Sequence, residues 1–355
     1  MYAGRYASTG PGMPLRTPPL RPAGYEAAPN IALVKYWGMR DDRLVLPNNS
    51  SLSMTVSQLR TRTWVRFDPD LVSDRFWLNG RPASAGPLRG AVDFLDLVRA
   101  KSGLGQFAEV RSHNNFPTAS GLASSASGFA ALAGAASLAA GLSLTPRDLS
   151  RLARQGSGSA SRSIFGGFVE WDAGHRPDGR DCYARPLFPA DHWPDLRDVV
   201  VIVADAPEKS VRSATAMQET VQTSPYYAER LRTVPSRLTG LRTALRRRSA
   251  DRFLELVIEE CDDFRRVCET TVPSLDYLTR TSRMVLDAVL ELNRSAGHPI
   301  AGYTHDAGAH VHVFTFRRHA AALQKRLRRI PGIAGLRVLA PGPAARPIHT
   351  GGPRA

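Results

Sequence analysis

The chain of 355 residues is long enough for two ordinary domains, whether their hydrophobic cores are separate or shared. Its formal net charge of +15 and its pI of about 10.5 would ordinarily suggest a nucleic-acid partner. The basic residues are spread along the whole sequence, however, and all but four of the 47 are arginines. This distribution indicates a compositional bias, so we expect no nucleic-acid binding.

The sequence also argues against a secreted or membrane-spanning protein. The three cysteines, Cys182, Cys261 and Cys268, lack C-x-x-C spacing, which disfavours a disulfide framework and a zinc site. No stretch approaches the roughly 18 uninterrupted apolar residues that a spanning helix needs. Residues 1–26 are rich in proline, glycine and arginine and predict a disordered leader. We therefore expect a cytoplasmic protein that does not bind a membrane.

The first predicted element is a buried strand at residues 31–37, an apolar run that contains Lys35. Lys35 is one of only four lysines in the chain. An ammonium group in such a run needs a partner, because burying it alone costs free energy. Lys35 is therefore either a cation directed into an active site or an edge-strand lysine whose head reaches water.

Two alternating segments within residues 61–82 predict further strands, with a hairpin-like turn at Asn79-Gly80. Helical spacing of apolar residues follows at 90–102. Residues 145–148, with the sequence TPRD, are typical of a helix cap. Strands followed by helices in this order favour a mixed sheet covered by helices.

A Gly/Ser-rich loop runs directly into an Ala-rich helix predicted at 128–142. Pro117, Gly121, Ser124 and Ser125 set the pattern P-x-x-x-G-L-x-S-S-A. Small residues let backbone N–H groups approach an anion, a helix N-terminus favours negative charge, and serine hydroxyls can bind phosphate or a metal ion. The pattern favours a phosphate-binding loop over a plain connector into a buried helix.

A second polar loop, at 156–163, combines flexible backbone, four hydroxyls and one guanidinium. Arg162 could grip a carboxylate or a phosphate through two parallel hydrogen bonds, while Ser157 and Ser159 add further donors. A plain Ser/Gly turn is the alternative.

The second half follows a polar stretch at 174–194 and opens with a buried strand predicted at 198–205. Helical periodicity dominates 225–292, and an alternating strand follows at 311–316. This order of elements predicts a compact α+β second domain.

Asp306 is the candidate acid or base. It stands in the segment YTHDAG at 303–308, beside a glycine that permits close approach of a ligand. A carboxylate there could orient or deprotonate a substrate hydroxyl. An aspartate before glycine is also common turn chemistry, which is the alternative.

Taken together, these segments resemble the diphosphomevalonate decarboxylase family. The segments are PNIALVKYWG at 29–38 with LPNNSSLSMT at 46–55, the phosphate loop and its helix at 114–144, ARQGSGSASRSIFGGFVEW at 153–171, and YTHDAG at 303–308. The phosphate loop alone is similar to that of the wider superfamily of galactokinase, homoserine kinase, mevalonate kinase and phosphomevalonate kinase.

The resemblance covers residues 27–345 and implies a particular fold. That fold is the α+β, two-domain fold of the small-molecule kinase superfamily, with mixed sheets packed against helices and an active site in the cleft between the domains. We place the two domains at 27–195 and 196–345, followed by a tail at 346–355.

The resemblance also implies an ATP-dependent decarboxylase that uses Mg²⁺. ATP would phosphorylate the 3-hydroxyl of a small anionic 3-hydroxy acid, and loss of phosphate and carbon dioxide would then give an alkene. With diphosphomevalonate, the expected substrate, the product is isopentenyl diphosphate. The implied catalytic residues are Asp306, Lys35 and Arg162. The implied substrate contacts come from Tyr36, Ser157, Ser159, Arg212 and Ser213, and the implied nucleotide contacts from Pro117, Gly121, Ser124 and Ser125, with Ser125 also a metal ligand.

The sequence departs from the family's pattern around the expected phosphate tail of the substrate. Met39 stands where the family's YWGK has lysine, and Ala309-His310 stands where its DAGPN has Pro-Asn. His312 is a further addition, and Arg212 stands within a segment where the family has a second serine pair. Arg212 could replace the charge that is missing at Met39.

Several alternatives stay open at this point. A paralogue could act on a different or less phosphorylated 3-hydroxy acid, a kinase could stop at the 3-phosphate, and a non-catalytic binding module would need none of the three catalytic groups. The oligomeric state is also open, with a homodimer as one expectation.

Overall fold

The computed structural model describes residues 20–116, 124–207 and 213–349. Its strands are β1 Ala23–Ala27, β2 Asn30–Val34, β3 Met39–Asp41, β4 Leu46–Pro47, β5 Ser51–Thr55, β6 Thr61–Asp68, β7 Arg75–Leu78, β8 Arg81–Pro82, β9 Phe107–Asn114, β10 Phe168–Trp171, β11 Ala184–Phe188, β12 Leu196–Val203, β13 Ala301–Thr304, β14 Val311–Phe316, β15 Ile333–Leu339 and β16 Arg346–Ile348. Its α-helices are α1 Ala85–Ser102, α2 Ser124–Ala139, α3 Pro146–Gly156, α4 Ser213–Thr223, α5 Tyr227–Arg247, α6 Ala250–Glu269, α7 Arg280–Ala296 and α8 Arg317–Leu327. Short 3-10 helices occupy Gly158–Ile164 and Ala190–His192.

The strands form three larger sheets and one small ribbon. The first sheet has the order β16-β1-β6-β9-β7-β8, the second β11-β10-β5-β2 and the third β13-β14-β12-β15. The ribbon pairs β3 with β4. Because sheets and helices alternate irregularly along the chain, the α+β class expected from the sequence is confirmed.

The hairpin predicted at Asn79-Gly80 is present, but its strands are β7 and β8. Asn79 and Gly80 have φ angles of 52° and 78°, the left-handed values that a tight hairpin turn needs. The two predicted strands β6 and β7 are not neighbours, since β9 lies between them. Strand β9 is antiparallel to β6 and parallel to β7, because helix α1 carries the chain across the sheet between β8 and β9.

Helix α2 is the buried helix that the Ala-rich segment predicts. Its alanines are almost fully buried against β1 and β6. Gly134 lies against the ring of Tyr25, where a Cβ atom would come within 2.2 Å of a ring carbon. The next helix, α3, is capped as predicted, because the Thr145 hydroxyl accepts the backbone N–H of Asp148.

One of the hydrophobic clusters spans both halves of the protein. Ile31 and Met54 of the second sheet belong to the same buried cluster as Leu241 of α5, Phe253 of α6 and Phe314 of β14. The residues of the candidate active site therefore lie on elements whose relative positions are fixed by side-chain packing. Among the described helices, none is long and apolar enough to cross a membrane.

Both ends of the described chain differ from the sequence prediction. Residues up to 26 were expected to form a disordered leader, whereas Ala23–Ala27 forms β1 and pairs with β6 along its length. Residues 346–355 were expected to form a tail, whereas Arg346–Ile348 forms β16 and pairs with β1. The backbone hydrogen bonds of a neighbouring strand stabilise these segments, and single-segment composition does not report such pairing.

Candidate active site

Lys35 lies one residue beyond β2, and its side chain is 3% exposed. Its Nζ donates to Oδ1 of Asp306 at 2.7 Å and to the carbonyl oxygen of Ala32 at 2.8 Å. Although β2 is the outer strand of its sheet, Lys35 is a buried, paired cation whose ammonium group does not reach water.

Asp306 follows β13, in the second half of the chain, so the ion pair with Lys35 joins the two halves. The side chain of Asp306 is 32% exposed, so it is not sealed from solvent. Burial works to raise the pKa of Asp306, but the charge and hydrogen bond of Lys35 outweigh burial, with help from His312 and Arg162, and lower it. Asp306 is thus a carboxylate at neutral pH, suited to accept a hydrogen bond or a proton.

His305 supports the backbone of this segment. It is fully buried, and its Nδ1 lies 2.8 Å from the carbonyl oxygen of Asp306. Burial lowers the pKa of His305 to about 4, so the ring is neutral and Nδ1 must carry the proton that it donates. The sequence analysis did not single out this histidine.

Arg162 is a second buried cation, held on the 3-10 helix Gly158–Ile164. Its Nε donates to Oδ1 of Asn30 at 3.1 Å, and its Nη1 donates to Oγ of Ser51 at 2.7 Å. Burial lowers the pKa of Arg162 to about 10, although Tyr36 and Asp306 oppose the shift, so the group stays cationic at neutral pH. Within the described residues Nη2 makes no hydrogen bond, which leaves it available to an anionic ligand.

Aromatic rings and hydroxyls surround this guanidinium. Tyr36 packs edge-on against Trp171 with ring centroids 4.8 Å apart, and the guanidinium carbon of Arg162 lies 5.8 Å and 6.0 Å from the two centroids. Ser157 and Ser159 are half-buried, and their hydroxyl oxygens are 3.2 Å apart. The two rings thus lie beside the cation, and the two serines lie at the start of the 3-10 helix that carries it.

The structure also identifies residues that sequence reasoning missed. Asn30 bridges Arg162 and the 3-10 helix, because its Nδ2 donates to Oγ of Ser163 and to the carbonyl of Ser159. Ser51, on β5, fixes the other branch of Arg162. Both lie inside the segments at 29–38 and 46–55 that carry the family resemblance. Sequence spacing gives no sign, however, that they contact a guanidinium more than 100 residues away.

The predicted nucleotide loop is described only in part. Pro117, Gly121 and Arg212 lie outside the described residues. Ser124 and Ser125 open α2 as described, with Ser124 half-buried and Ser125 exposed, and Ser213 opens α4.

A metal site can be tested against the described side chains. In those ranges no cluster of three or more His, Cys, Asp or Glu side chains could hold a metal ion. The exposed Ser125 hydroxyl is an oxygen donor, the type that Mg²⁺ prefers, and Mg²⁺ commonly takes its remaining ligands from water and substrate phosphates. The donor set therefore fits a magnesium ion that arrives with a nucleotide.

The residues that depart from the family's pattern have defined surroundings. Met39 opens β3 and packs, half-buried, against the cluster that contains Trp37. His310 accepts the backbone N–H of Val203 through Nδ1 at 3.3 Å. Nδ1 of His312 lies 2.7 Å from Oδ2 of Asp198, so the added histidine is part of a buried polar pair.

The Lys35–Asp306 pair should make stability depend on pH in a defined direction. A carboxyl whose folded pKa is depressed contributes stability above its unfolded pKa, and that contribution is lost as the pH falls through the folded value. In a Lys35→Met variant, Lys35 no longer opposes the effect of burial, which raises the pKa of Asp306. The stability that ionised Asp306 contributes at neutral pH is therefore lost. We therefore expect the difference in unfolding free energy between wild type and Lys35→Met to be larger at pH 7 than at pH 3, which lies below the ordinary aspartate pKa of 3.8, as measured by urea denaturation. A constant difference would show that the pair does not set this titration.

The mixed sheets packed with helices fit the α+β fold of the small-molecule kinase superfamily, and a buried cation–carboxylate pair joins the two halves. Two family sequence models match the chain. One, for a diphosphomevalonate decarboxylase-like N-terminal domain, matches residues 27–184, and the other, for a mevalonate 5-diphosphate decarboxylase C-terminal domain, matches residues 199–334. The chain belongs to the diphosphomevalonate decarboxylase family.

Individual relatives agree with this assignment. The diphosphomevalonate decarboxylase of Ganoderma lucidum is 41% identical over 309 residues, which cover 82% of this chain and 77% of the relative. The human diphosphomevalonate decarboxylase is 40% identical and covers 84% of this chain and 77% of its own length. A solved structure of mevalonate diphosphate decarboxylase from Staphylococcus aureus has a TM-score of 0.86 and 35% identity, and covers 92% of this chain and 98% of that one.

A further solved structure is a complex. It holds a protein designated MDDEF with MVAPP, AMPPCP and magnesium. Its TM-score to this chain is 0.86 at 36% identity, with 92% of this chain and 98% of that chain covered.

Proposed function

We propose that this protein catalyses the ATP-dependent decarboxylation of diphosphomevalonate to isopentenyl diphosphate. The observation that carries the proposal is the Lys35–Asp306 pair beside the buried guanidinium of Arg162. Family membership, relatives named for this activity, and a neighbouring structure that holds MVAPP and AMPPCP support it. Cytoplasmic location and a homodimer remain predictions from the sequence.

The proposed first step is phosphoryl transfer to the substrate's 3-hydroxyl. Asp306 accepts a hydrogen bond, and then the proton, from that hydroxyl. The hydroxyl oxygen of the substrate attacks the γ-phosphorus of ATP at the same time. Lys35 keeps Asp306 ionised and fixes its direction, because Nζ contacts both Oδ1 and the carbonyl of Ala32. ADP leaves with the electron pair of the broken phosphorus–oxygen bond.

The proposed second step is fragmentation. Arg162 holds the substrate carboxylate through the guanidinium edge that Asn30 and Ser51 leave unused. The bond between the carboxyl carbon and C2 breaks, its electron pair forms the C2–C3 double bond, and the 3-phosphate leaves with the electrons of its carbon–oxygen bond. A fixed and desolvated carboxylate favours this step, because water no longer stabilises its charge.

The remaining predicted contacts handle phosphate. Ser157 and Ser159 are proposed to donate hydrogen bonds to the substrate, and Ser124 and Ser125 to the nucleotide, with further nucleotide contacts from Pro117 and Gly121. Magnesium, when bound with the nucleotide, supplies positive charge to the phosphate oxygens. Tyr36, Arg212 and Ser213 are proposed to contact the substrate.

One experiment tests the proposed function directly. The enzyme is incubated with ATP, Mg²⁺ and a panel of 3-hydroxy acids that carry zero, one or two phosphates, and ADP and carbon dioxide are measured together. Equal amounts of ADP and carbon dioxide with diphosphomevalonate are expected. ADP without carbon dioxide would instead support a kinase, and efficient turnover of another panel member would support a paralogue with a different substrate.

Met39 provides a prediction about the phosphate tail. A lysine at this position would offer a cation to a terminal phosphate, whereas methionine offers only a flexible apolar group. We expect Met39→Lys to raise kcat/KM for diphosphomevalonate by about tenfold or more, the worth of one charge-assisted contact. Met39→Leu, which adds no charge, is the control. If Met39→Lys is silent and Arg212→Ala is damaging, Arg212 supplies the missing charge and this prediction is wrong.

A further inference from the structure

A buried ion pair in the second half grips the backbone of Lys35 on both sides. Glu260 of α6 accepts the Lys35 N–H through Oε1 at 3.0 Å, and Arg230 of α5 donates Nη2 to the Lys35 carbonyl at 3.2 Å. The same Nη2 and Oε1 are 2.6 Å apart, and both side chains are 0% exposed. One peptide segment of the first half is thus held by a charged pair of the second.

Lys35 needs such partners because of where β2 ends. The last ladder pair of β2 joins Val34 to Leu52, after a register shift, so the peptide groups of Lys35 lie beyond the ladder. Buried backbone groups without partners are costly. Asn49 also donates to the Lys35 carbonyl, at 2.9 Å, but only Glu260 takes its N–H among the described contacts.

We propose that Arg230 and Glu260 are positioning residues that aim the Lys35 ammonium at Asp306. The inference rests on the proposed function, in which the Lys35–Asp306 pair acts on the substrate hydroxyl. The main chain of Lys35 is fixed by the ion pair, and its Nζ is fixed by Asp306 and by the carbonyl of Ala32. Apolar residues of similar volume could not replace this pair, because they would leave the buried N–H of Lys35 without a partner and would not fix the point from which its side chain leaves the backbone.

Arg237 offers a matched control within the same cluster. It donates to Oε2 of Glu260 at 2.6 Å and to Oδ2 of Asp263 at 3.0 Å, and Arg230 also pairs with Asp263. Arg237 is nearly buried, but no described contact joins it to Lys35. The two arginines therefore share both acidic partners and differ in whether they reach the backbone of Lys35.

The kinetic test compares Arg230→Lys with Arg237→Lys. Both substitutions keep the charge of the cluster, so both variants are expected to fold, and urea denaturation gives the stability of each. Because misplacement of a catalytic group by about 1 Å can cost up to about a hundredfold in rate, we expect Arg230→Lys to lower kcat by about tenfold or more. KM for ATP and for diphosphomevalonate should stay near wild type, as should every constant of Arg237→Lys. Equal losses of kcat in the two variants would overturn the proposal.

A double-mutant cycle with Lys35→Met separates positioning from a general loss of stability. If Arg230 acts through Lys35, Arg230→Lys should lower kcat no further in the Lys35→Met background. Independent, additive losses would overturn the proposal.

A spectroscopic test works even without turnover, which separates failure of this inference from failure of the proposed function. With only four lysines in the chain, ¹³Cε-lysine labelling gives a simple spectrum in which Lys35→Arg identifies the Lys35 signal. Arg230→Lys should shift that signal, whereas Arg237→Lys, which also adds one lysine, should not. An unmoved signal in Arg230→Lys would refute the positioning role. Inactive wild-type enzyme with a shifted signal would refute the proposed function and leave the positioning role supported.

Discussion

An Asp306→Asn variant should lose at least about a hundredfold in kcat while binding ATP nearly as tightly as wild type. The amide keeps the size of the carboxylate but cannot accept the proton of the substrate hydroxyl. Loss of the carboxylate also leaves Lys35 without its anionic partner. Steady-state kinetics give kcat, and isothermal titration calorimetry gives the ATP affinity.

Asp262→Asn is a suitable control for this prediction. Asp262 is a nearby carboxylate on α6 that accepts a hydrogen bond from the Tyr303 hydroxyl and has no described contact with Lys35. Its variant should turn over near the wild-type rate. If Asp306→Asn kept more than about a tenth of the wild-type rate, Asp306 would not be the catalytic base, because general-base help is typically worth a hundredfold or more.

The second large effect is expected for Arg162→Gln, which should slow carbon dioxide release by about a hundredfold or more. Glutamine can still contact Asn30 or Ser51 but cannot present a cation to the substrate carboxylate. Because the proposed role of Arg162 belongs to fragmentation, ADP formation should slow much less than carbon dioxide release. Single-turnover experiments that follow both products measure the two steps separately.

Arg154→Gln serves as the matched control for Arg162→Gln. Arg154 is equally buried, but it donates to the carbonyls of Gly179 and Cys182, away from the proposed substrate site. Its variant should change stability and leave the ratio of the two products at one. Equal slowing of both products by Arg162→Gln would contradict a specific role in fragmentation.

The sequence identified the residues proposed for the chemistry more readily than the residues that hold them in place. Lys35 is unusual for its apolar setting, whereas Arg162 and Asp306 also fit ordinary polar turns and are singled out by the family resemblance. The structure places Lys35 against Asp306, and the charge of Arg162 helps to lower the pKa of Asp306, although the roles of all three remain predictions. Local residue type and spacing therefore drew attention to Lys35, and similarity of motifs drew attention to the other two.

What the sequence did not predict depends on contacts between distant segments. Asn30 and Glu260 are ordinary residues in their own surroundings, and their importance comes from partners 132 and 225 positions away. The parallel pairing of β7 with β9 was missed for the same reason, because alternation identifies a strand but does not choose its neighbour. Strand β16 was missed because its pairing with β1, and not its composition, makes it a strand.

The pairing of β1 with β16 has a topological consequence. Gly24 stands opposite Ile348, so the first and last described strands are antiparallel neighbours and the path of the chain from residue 23 to residue 348 almost closes on itself. A short linker could join these strands without crossing the sheet, and the ring could be reopened at an exposed turn such as the one between β7 and β8. The candidate active site therefore does not depend on which half of the chain is synthesised first. A circularly permuted gene could encode the same site.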